Sequence, residues 1–417
     1  MPKLMLGVAA IALAIALPAI AQAPQQSADQ WLAKMPAAPE RDLIAGACLG
    51  CHNAERIVNA DHDAYEWDIL MTGMVNVGAP LTQDEAKRVT AYLTKNIPAQ
   101  AEPKLKLLPG PAKVRIVEWQ VPTKGSRPHD PIATKDGMLW YTAQRSSILG
   151  RVDMKTGQIT EYKTRTPMSG PHGLADDAEG NIWYTGNFKS HVGKLDVKTG
   201  QFTEYKMPDP RARDPHTPIF DRQGNLWFTL QGANMIGRLD PKSGEIKLVE
   251  SKTPRSLPYG TVFDTKNQLW IVLFGTNKLA KIDADMNITE YSLPAADARP
   301  RRQAIDADDV IWYADFPRGY IGKFDTKTGK LVKEYMSPSG PKSEPYGITV
   351  INGIVWYNEG NAKPNGLVRF DPKAETFQTF PIPSGGGVVR NMEPTADGKG
   401  IVMAMSAQDK VGVAWIE

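Results

Sequence analysis

The chain has 417 residues, with 49 Lys and Arg against 46 Asp and Glu, 41% hydrophobic residues and two cysteines. A net charge of +3 is nearly balanced and argues against a dedicated nucleic-acid binder. Once the leader described next is removed, about 390 residues remain, enough for two or three domains with substantial cores.

The first stretch, MPKLMLGVAAIALAIALPAIAQAPQQ, runs from one lysine through an apolar segment to small residues. This is the pattern of a secretory signal peptide, with Ala19-Ile20-Ala21 as the small-x-small cleavage site and residues 1–21 removed. No later apolar run approaches the ~18 residues needed to span a bilayer. The expectation is an exported, periplasmic protein with no stable membrane insertion after cleavage.

Residues 24–98 read as a small helical domain. GACLGCHNAERI holds both cysteines, Cys48 and Cys51, followed directly by His52. Chance gives the C-x-x-C-H arrangement on the order of 10⁻⁴ for this cysteine and histidine content. Its chemical reading is covalent haem c, one per chain, with thioethers at Cys48 and Cys51 and His52 as an axial iron ligand. The plain alternative is a disulfide with a bystander histidine. A helix running into the haem motif is expected through APERDLIAGACLGCH and a second through DAYEWDILMTGM. A third, LTQDEAKRVTAYLTKNIP, opens on a Thr82–Glu85 capping box and carries Ala86, Val89 and Leu93 on one face. Met71, Met74 and His62 are candidates for the sixth iron position, and spacing alone does not separate the two methionines.

This layout resembles a small c-type cytochrome. The resemblance implies Met74 as the ligand, because Trp67 precedes it by seven residues and Gly78-Ala79 follows it by four. Thioether ligation would suit single-electron transfer. The segment carries ten acidic against six basic residues from Pro24 to Pro98, so the remainder is basic.

Residues 99–112, rich in Pro, Ala and Lys, read as a linker. From residue 113 to 417 the chain falls into units of about forty-two to forty-five residues, marked by Trp140, Trp183, Trp227, Trp270, Trp312 and Trp356, with a degenerate seventh. Each unit has four short β-rich runs divided by turns such as DVKTGQ and DPKSGE, where Gly can take positive φ. Four strands at this period are a propeller blade. The last unit stops after its third strand, and KVRIVEWQVP at the start supplies the missing outer one. The expected architecture is therefore multidomain: a small all-α cytochrome c domain followed by an all-β seven-bladed propeller.

The recurring P-H-G, G-N-I-W-Y-T, I-G-R-L-D and T-G-x-x-T-E-Y phrases make residues 113–417 resemble the virginiamycin B lyase family of streptogramin-inactivating propellers. That resemblance implies ester elimination with a magnesium held by glutamates and a histidine base. Family members commonly place Glu three residues after the blade tryptophan; here those positions are Ala143, Gly186, Leu230, Leu273, Asp315 and Glu359. Only Asp315 and Glu359 remain as a possible metal pair.

The residue eleven before each blade tryptophan is expected at one mouth of the central channel, giving His129, His172, His216, Tyr259 and Arg301. Tyr346 and Arg390 follow for the last two blades. Three histidines from adjacent blades could hold a divalent or transition metal, or the set could form an acid–base and anion-binding pocket. A histidine in Pro-His-Gly can equally cap its turn. Arg127, Arg165, Arg211, Arg213, Arg255, Arg299, Arg302, Lys342 and Arg390 all precede inner strands, making this face attractive to an anion. A small anionic substrate, a redox partner protein or the acidic helical domain itself would fit.

The function expected is single-electron transfer through the haem domain, with the propeller binding a substrate, cofactor or redox partner as an oxidoreductase component. The alternatives are a metal-dependent lyase of the streptogramin type and a non-catalytic propeller that displays a haem domain.

Overall fold

The computed structural model describes residues 27–49, 54–60, 62–76, 78–97 and 103–417. Cys51, His52, Asp61 and the expected leader lie outside them. Five helices come first: α1 (Ala28–Leu32), α2 (Pro39–Cys48), α3 (Ala54–Val58), α4 (Ala64–Asn76) and α5 (Gln83–Asn96). The capping box at α5 forms reciprocally between Thr82 and Glu85. Ala86, Val89 and Leu93 pack against Ile44, Trp67 and Met71 in one small core. Sequence periodicity misses α1 and α3, because five residues are too few to show a period. Among the described residues no helix is long and apolar enough to cross a membrane.

Seven four-stranded antiparallel sheets follow. The strand Val114–Gln120 pairs with Lys410–Ile416, so the first strand completes the last blade and closes the ring. The repeated phrases are hydrogen-bond and packing accounts. In four blades an aspartate at the turn accepts from the blade tryptophan's indole, as Asp177 does from Trp183 at 2.8 Å and Asp221 from Trp227 at 2.9 Å. The tyrosine of W-Y-T lies across the glycine of I-G-R-L-D, where a side chain at Gly150 or Gly193 would overlap its ring. Its hydroxyl then donates to the glutamate of T-E-Y, Tyr141 to Glu161 and Tyr184 to Glu204, each at 3.2 Å. A buried phenol left without that acceptor would cost on the order of 1–3 kcal/mol.

The threonine of the same phrase joins neighbouring blades. Thr142 accepts from the Asp130 amide and donates to the His172 carbonyl of the next blade; Thr185 does the same between Gly173 and His216. Each inner strand has a register shift just after its start, for example between Pro128 and Pro131. Such a bulge re-aims successive side chains, here at the mouth of the channel.

The connection to the propeller is not a free tether. Residues 103–112 run down the outer edge of the sixth blade, where Leu108 exchanges hydrogen bonds with Thr379 and Ala112 with Gln378. This leaves the helical unit at the basic mouth. Asp68 pairs with Lys124 at 2.5 Å, Glu66 with Lys363 at 3.8 Å, and Tyr65 donates to the Gln408 carbonyl at 3.2 Å. Acid meets base as the charge pattern predicts, but through lysines rather than the turn arginines.

Candidate functional site

The seven residues expected at the channel mouth converge. His129, His172 and His216 are 2–4% exposed, and their rings follow one another at centroid distances of 3.8 and 3.7 Å. Tyr259 continues the row at 4.1 Å from His216 and shares a hydroxyl hydrogen bond with Tyr346. The Arg301 guanidinium lies 4.0 Å from the Tyr346 ring and 4.3 Å from that of Phe316, a cation–π seat. Arg390 acts electrostatically on His129, His216 and Tyr346.

Burial pushes all three imidazoles well below the usual histidine range, and surrounding arginines push them further. They are neutral at neutral pH. His129 Nδ1 is 2.8 Å from Asp130, and His216 Nδ1 is 2.9 Å from Thr217. The buried Nδ1 of His172 has no hydrogen-bond partner among the described residues. Burial raises the Tyr346 phenol, but Arg301, Arg390 and Arg302 outweigh it and leave the group more acidic than an ordinary tyrosine.

Two residues that matter here escaped the one-per-blade pattern. Arg302, read above as a turn cation, sits inside the inner strand at 3% exposure, and its Nη2 donates to both carboxylate oxygens of Asp130 at 2.8 and 3.0 Å. Asp130 itself was not singled out. The bulge turns both members of each successive pair, 129 with 130 and 301 with 302, toward the channel; only the doubled polar residues after each proline signal it. Arg301 is half-buried in the ring, its guanidinium against the Tyr346 and Phe316 rings.

Asp315 and Glu359 are occupied within their own surroundings. Glu359 accepts from Ser337 and from the Ser339 amide at 2.6 and 2.8 Å. Asp315 accepts from the Arg299 amide and from Arg318, both at 2.9 Å, while burial pushes its carboxyl up to about 6. Among the described residues the one group of three or more with metal-ligand spacing is His129, Asp130 and His172, with ligand atoms within 4.8 Å. Asp130 is already neutralised by Arg302, and Arg127 and Arg390 bear on His129. That field opposes a dication and favours an anion.

Above the ring lies a cavity of about 270 Å³ between the helical unit and the propeller. Its helical wall includes Ile44, Ile57, Leu70 and Leu93, together with Cys48, His62, Met71 and Met74. Its other wall carries Arg127, Arg145 and Arg390. Met71 is 5% exposed within the helical core, whereas Met74 is half-buried beside it.

A profile of the virginiamycin B lyase family matches residues 111–363 and 251–413, nearly all of the propeller. The chain belongs to the virginiamycin B lyase family. The selenomethionine-substituted virginiamycin B lyase of Staphylococcus aureus shares 24% identity over 73% of this chain and 99% of that one, with a TM-score of 0.66. A streptogramin B lyase structure shares 25% over 73% and 98%, at 0.67. A catalytically inactive variant of the S. aureus enzyme with quinupristin gives 24%, 73% and 99%, also at 0.67. No curated protein matches. The family match leaves the helical unit outside it.

Proposed function

We propose that the protein is an exported c-type haem protein whose lyase-family propeller seats the haem domain over a polar anion-binding ring. The observation that carries this is the cavity, because it collects Cys48, two methionines and a histidine inside an apolar wall that abuts three arginines. The donor set fits haem c, and the Trp67 indole N–H, buried in that wall with no partner among the described residues, is available to an acceptor. Cys48 and Cys51 would hold the haem, with His52 and Met74 as axial ligands. Bound there, the haem would supply reversible one-electron transfer.

The chain's own groups would do the rest. Ile44, Ile57, Leu70 and Leu93 exclude water from the cavity. The neutral histidines and the acidified Tyr346 can hold or move a proton at the channel mouth, and Arg301 and Arg390 favour negative charge there. A small anionic substrate fits this ring better than a protein partner, since the helical unit covers the mouth. Expression with cytochrome maturation factors should yield covalent haem that survives denaturation and is lost in the double variant Cys48→Ala/Cys51→Ala. A parent chain without haem after such expression would sink the reading.

Elimination by a lyase is the second reading, favoured by family membership over the propeller. Against it stand the non-acidic residues Ala143, Gly186, Leu230 and Leu273 at positions where the family resemblance implies glutamate. Linearisation of a streptogramin B by the purified chain, dependent on added magnesium, would favour the lyase.

A further inference from the structure

We infer that the propeller completes the haem site: Arg127, Arg145 and Arg390 receive the haem's carboxylates, so that haem binding and seating of the helical unit on the propeller are one event. This rests on the haem reading above. A haem is a flat apolar ring carrying two carboxylates, and both need hydrogen-bonded cations or water if buried. Every arginine or lysine lining the cavity comes from the propeller side. The helical wall offers aliphatic side chains, sulfur, the Trp67 indole, His62 and one carboxylate, Glu66, which His62 and Lys363 already engage.

The arginines are built in. The loop bearing Arg127 is held by Asp409, whose carboxylate accepts the Gly125 and Arg127 amides. The Arg127 guanidinium donates to Gln144 at 2.8 Å, and the backbones of Gln144 and Arg145 bond back to Arg127 and Ser126. Arg390 rises from the inner strand Val389–Pro394 of the last blade, and its buried Nε has no partner among the described residues. The three guanidiniums gather at one wall of the cavity and make it the cationic side, opposite the aliphatic helical wall, where carboxylates would be favoured. The ring residues lie just beneath, since Arg390 bears on His129, His216 and Tyr346. Arg390 would thus couple haem charge to the acidity of Tyr346.

The test uses full-length holoprotein and measures the haem midpoint potential in Arg390→Gln, Arg390→Lys and the triple Arg127→Gln/Arg145→Gln/Arg390→Gln. Cations beside the haem stabilise its reduced form, which carries one more electron. A downward shift in potential is expected for Arg390→Gln, a larger one for the triple variant, and a near-parental value for Arg390→Lys. The carbodiimide cross-link between Lys124 and Asp68 should form more fully in holoprotein than in the haem-free Cys48→Ala/Cys51→Ala chain. Covalent haem with a potential unchanged in Arg390→Gln and a cross-link yield indifferent to haem overturns this inference alone. A parent chain that takes up no haem overturns the haem reading and this inference with it.

Discussion

Gly73 in α4 and Gly125 in the propeller meet backbone to backbone, and this contact sets how closely the helical unit sits. A Cβ placed on Gly73 would lie 2.7 Å from the Gly125 carbonyl oxygen and would also overlap the Arg145 side chain. Gly125 cannot yield easily, because its φ is +72° and its amide is held by Asp409. Gly73→Ala therefore has two opposed effects. Inside the helix, alanine favours α4 by about 1 kcal/mol over glycine. At the interface, overpacking costs about 1–3 kcal/mol, equivalent to roughly a 5- to 150-fold loss of docking. The two effects separate in different measurements. Helical content by circular dichroism should hold or rise, while the yield of the zero-length carbodiimide cross-link between Lys124 and Asp68, paired at 2.5 Å, should fall. Gly46→Ala in α2 is the control, since its Cβ would meet nothing within 4 Å; it should gain helix stability and keep the cross-link. A Gly73→Ala chain that cross-links as fully as the parent, with helical content intact, would refute the claim that this contact governs seating.

Arg302→Met should cost about 3–5 kcal/mol in urea unfolding, because Asp130 is left charged at 2% exposure. Adding Asp130→Leu should return most of that loss, and equal stabilities for the single and double variants would contradict it. Burial pushes the Glu393 carboxyl from 4.5 up to about 7 despite Arg302. The folded state therefore holds that proton more tightly than the unfolded one, and stability should decline as pH rises from about 4.5 through about 7. Glu393→Gln should flatten that part of the pH–stability curve, which chemical denaturation at a series of pH values would read. Met74→Leu should abolish the methionine-to-ferric-iron charge-transfer band and lower the haem potential while Met71→Leu leaves both; the reverse result would assign the ligand to Met71.

Most of the fold was legible because it is local chemistry repeated. A tryptophan, a turn aspartate, a tyrosine and a glutamate recur at fixed offsets, and each pair satisfies a buried donor within the same blade or against the next. Ring closure was legible too, since Lys410–Ile416 needed one more strand and Val114–Gln120 matched it. The ring of His129, His172, His216, Tyr259, Arg301, Tyr346 and Arg390 followed from the same repeat, because equal offsets place equivalent residues around one axis.

What the repeat could not convey is what lies between non-equivalent parts. The Asp130–Arg302 pair joins residues 172 positions apart across the channel, and no offset rule relates them. The engagement of Asp315 by Arg318 and of Glu359 by Ser337 and Ser339 depends on turn geometry that composition does not encode. The seating of the helical unit over the channel was foreshadowed by opposite charge. Charge acts over about 10 Å and names a face; the cavity that unites Cys48 and Met74 with Arg127, Arg145 and Arg390 required the close approach of Gly73 to Gly125, which operates only at contact. Sequence alone determined the blades, their number, the channel residues and the thiol–histidine motif, because each rests on spacing along the chain. Tertiary structure alone decided which charges are buried together and what faces the thiol, because those depend on van der Waals contact between segments far apart in the chain.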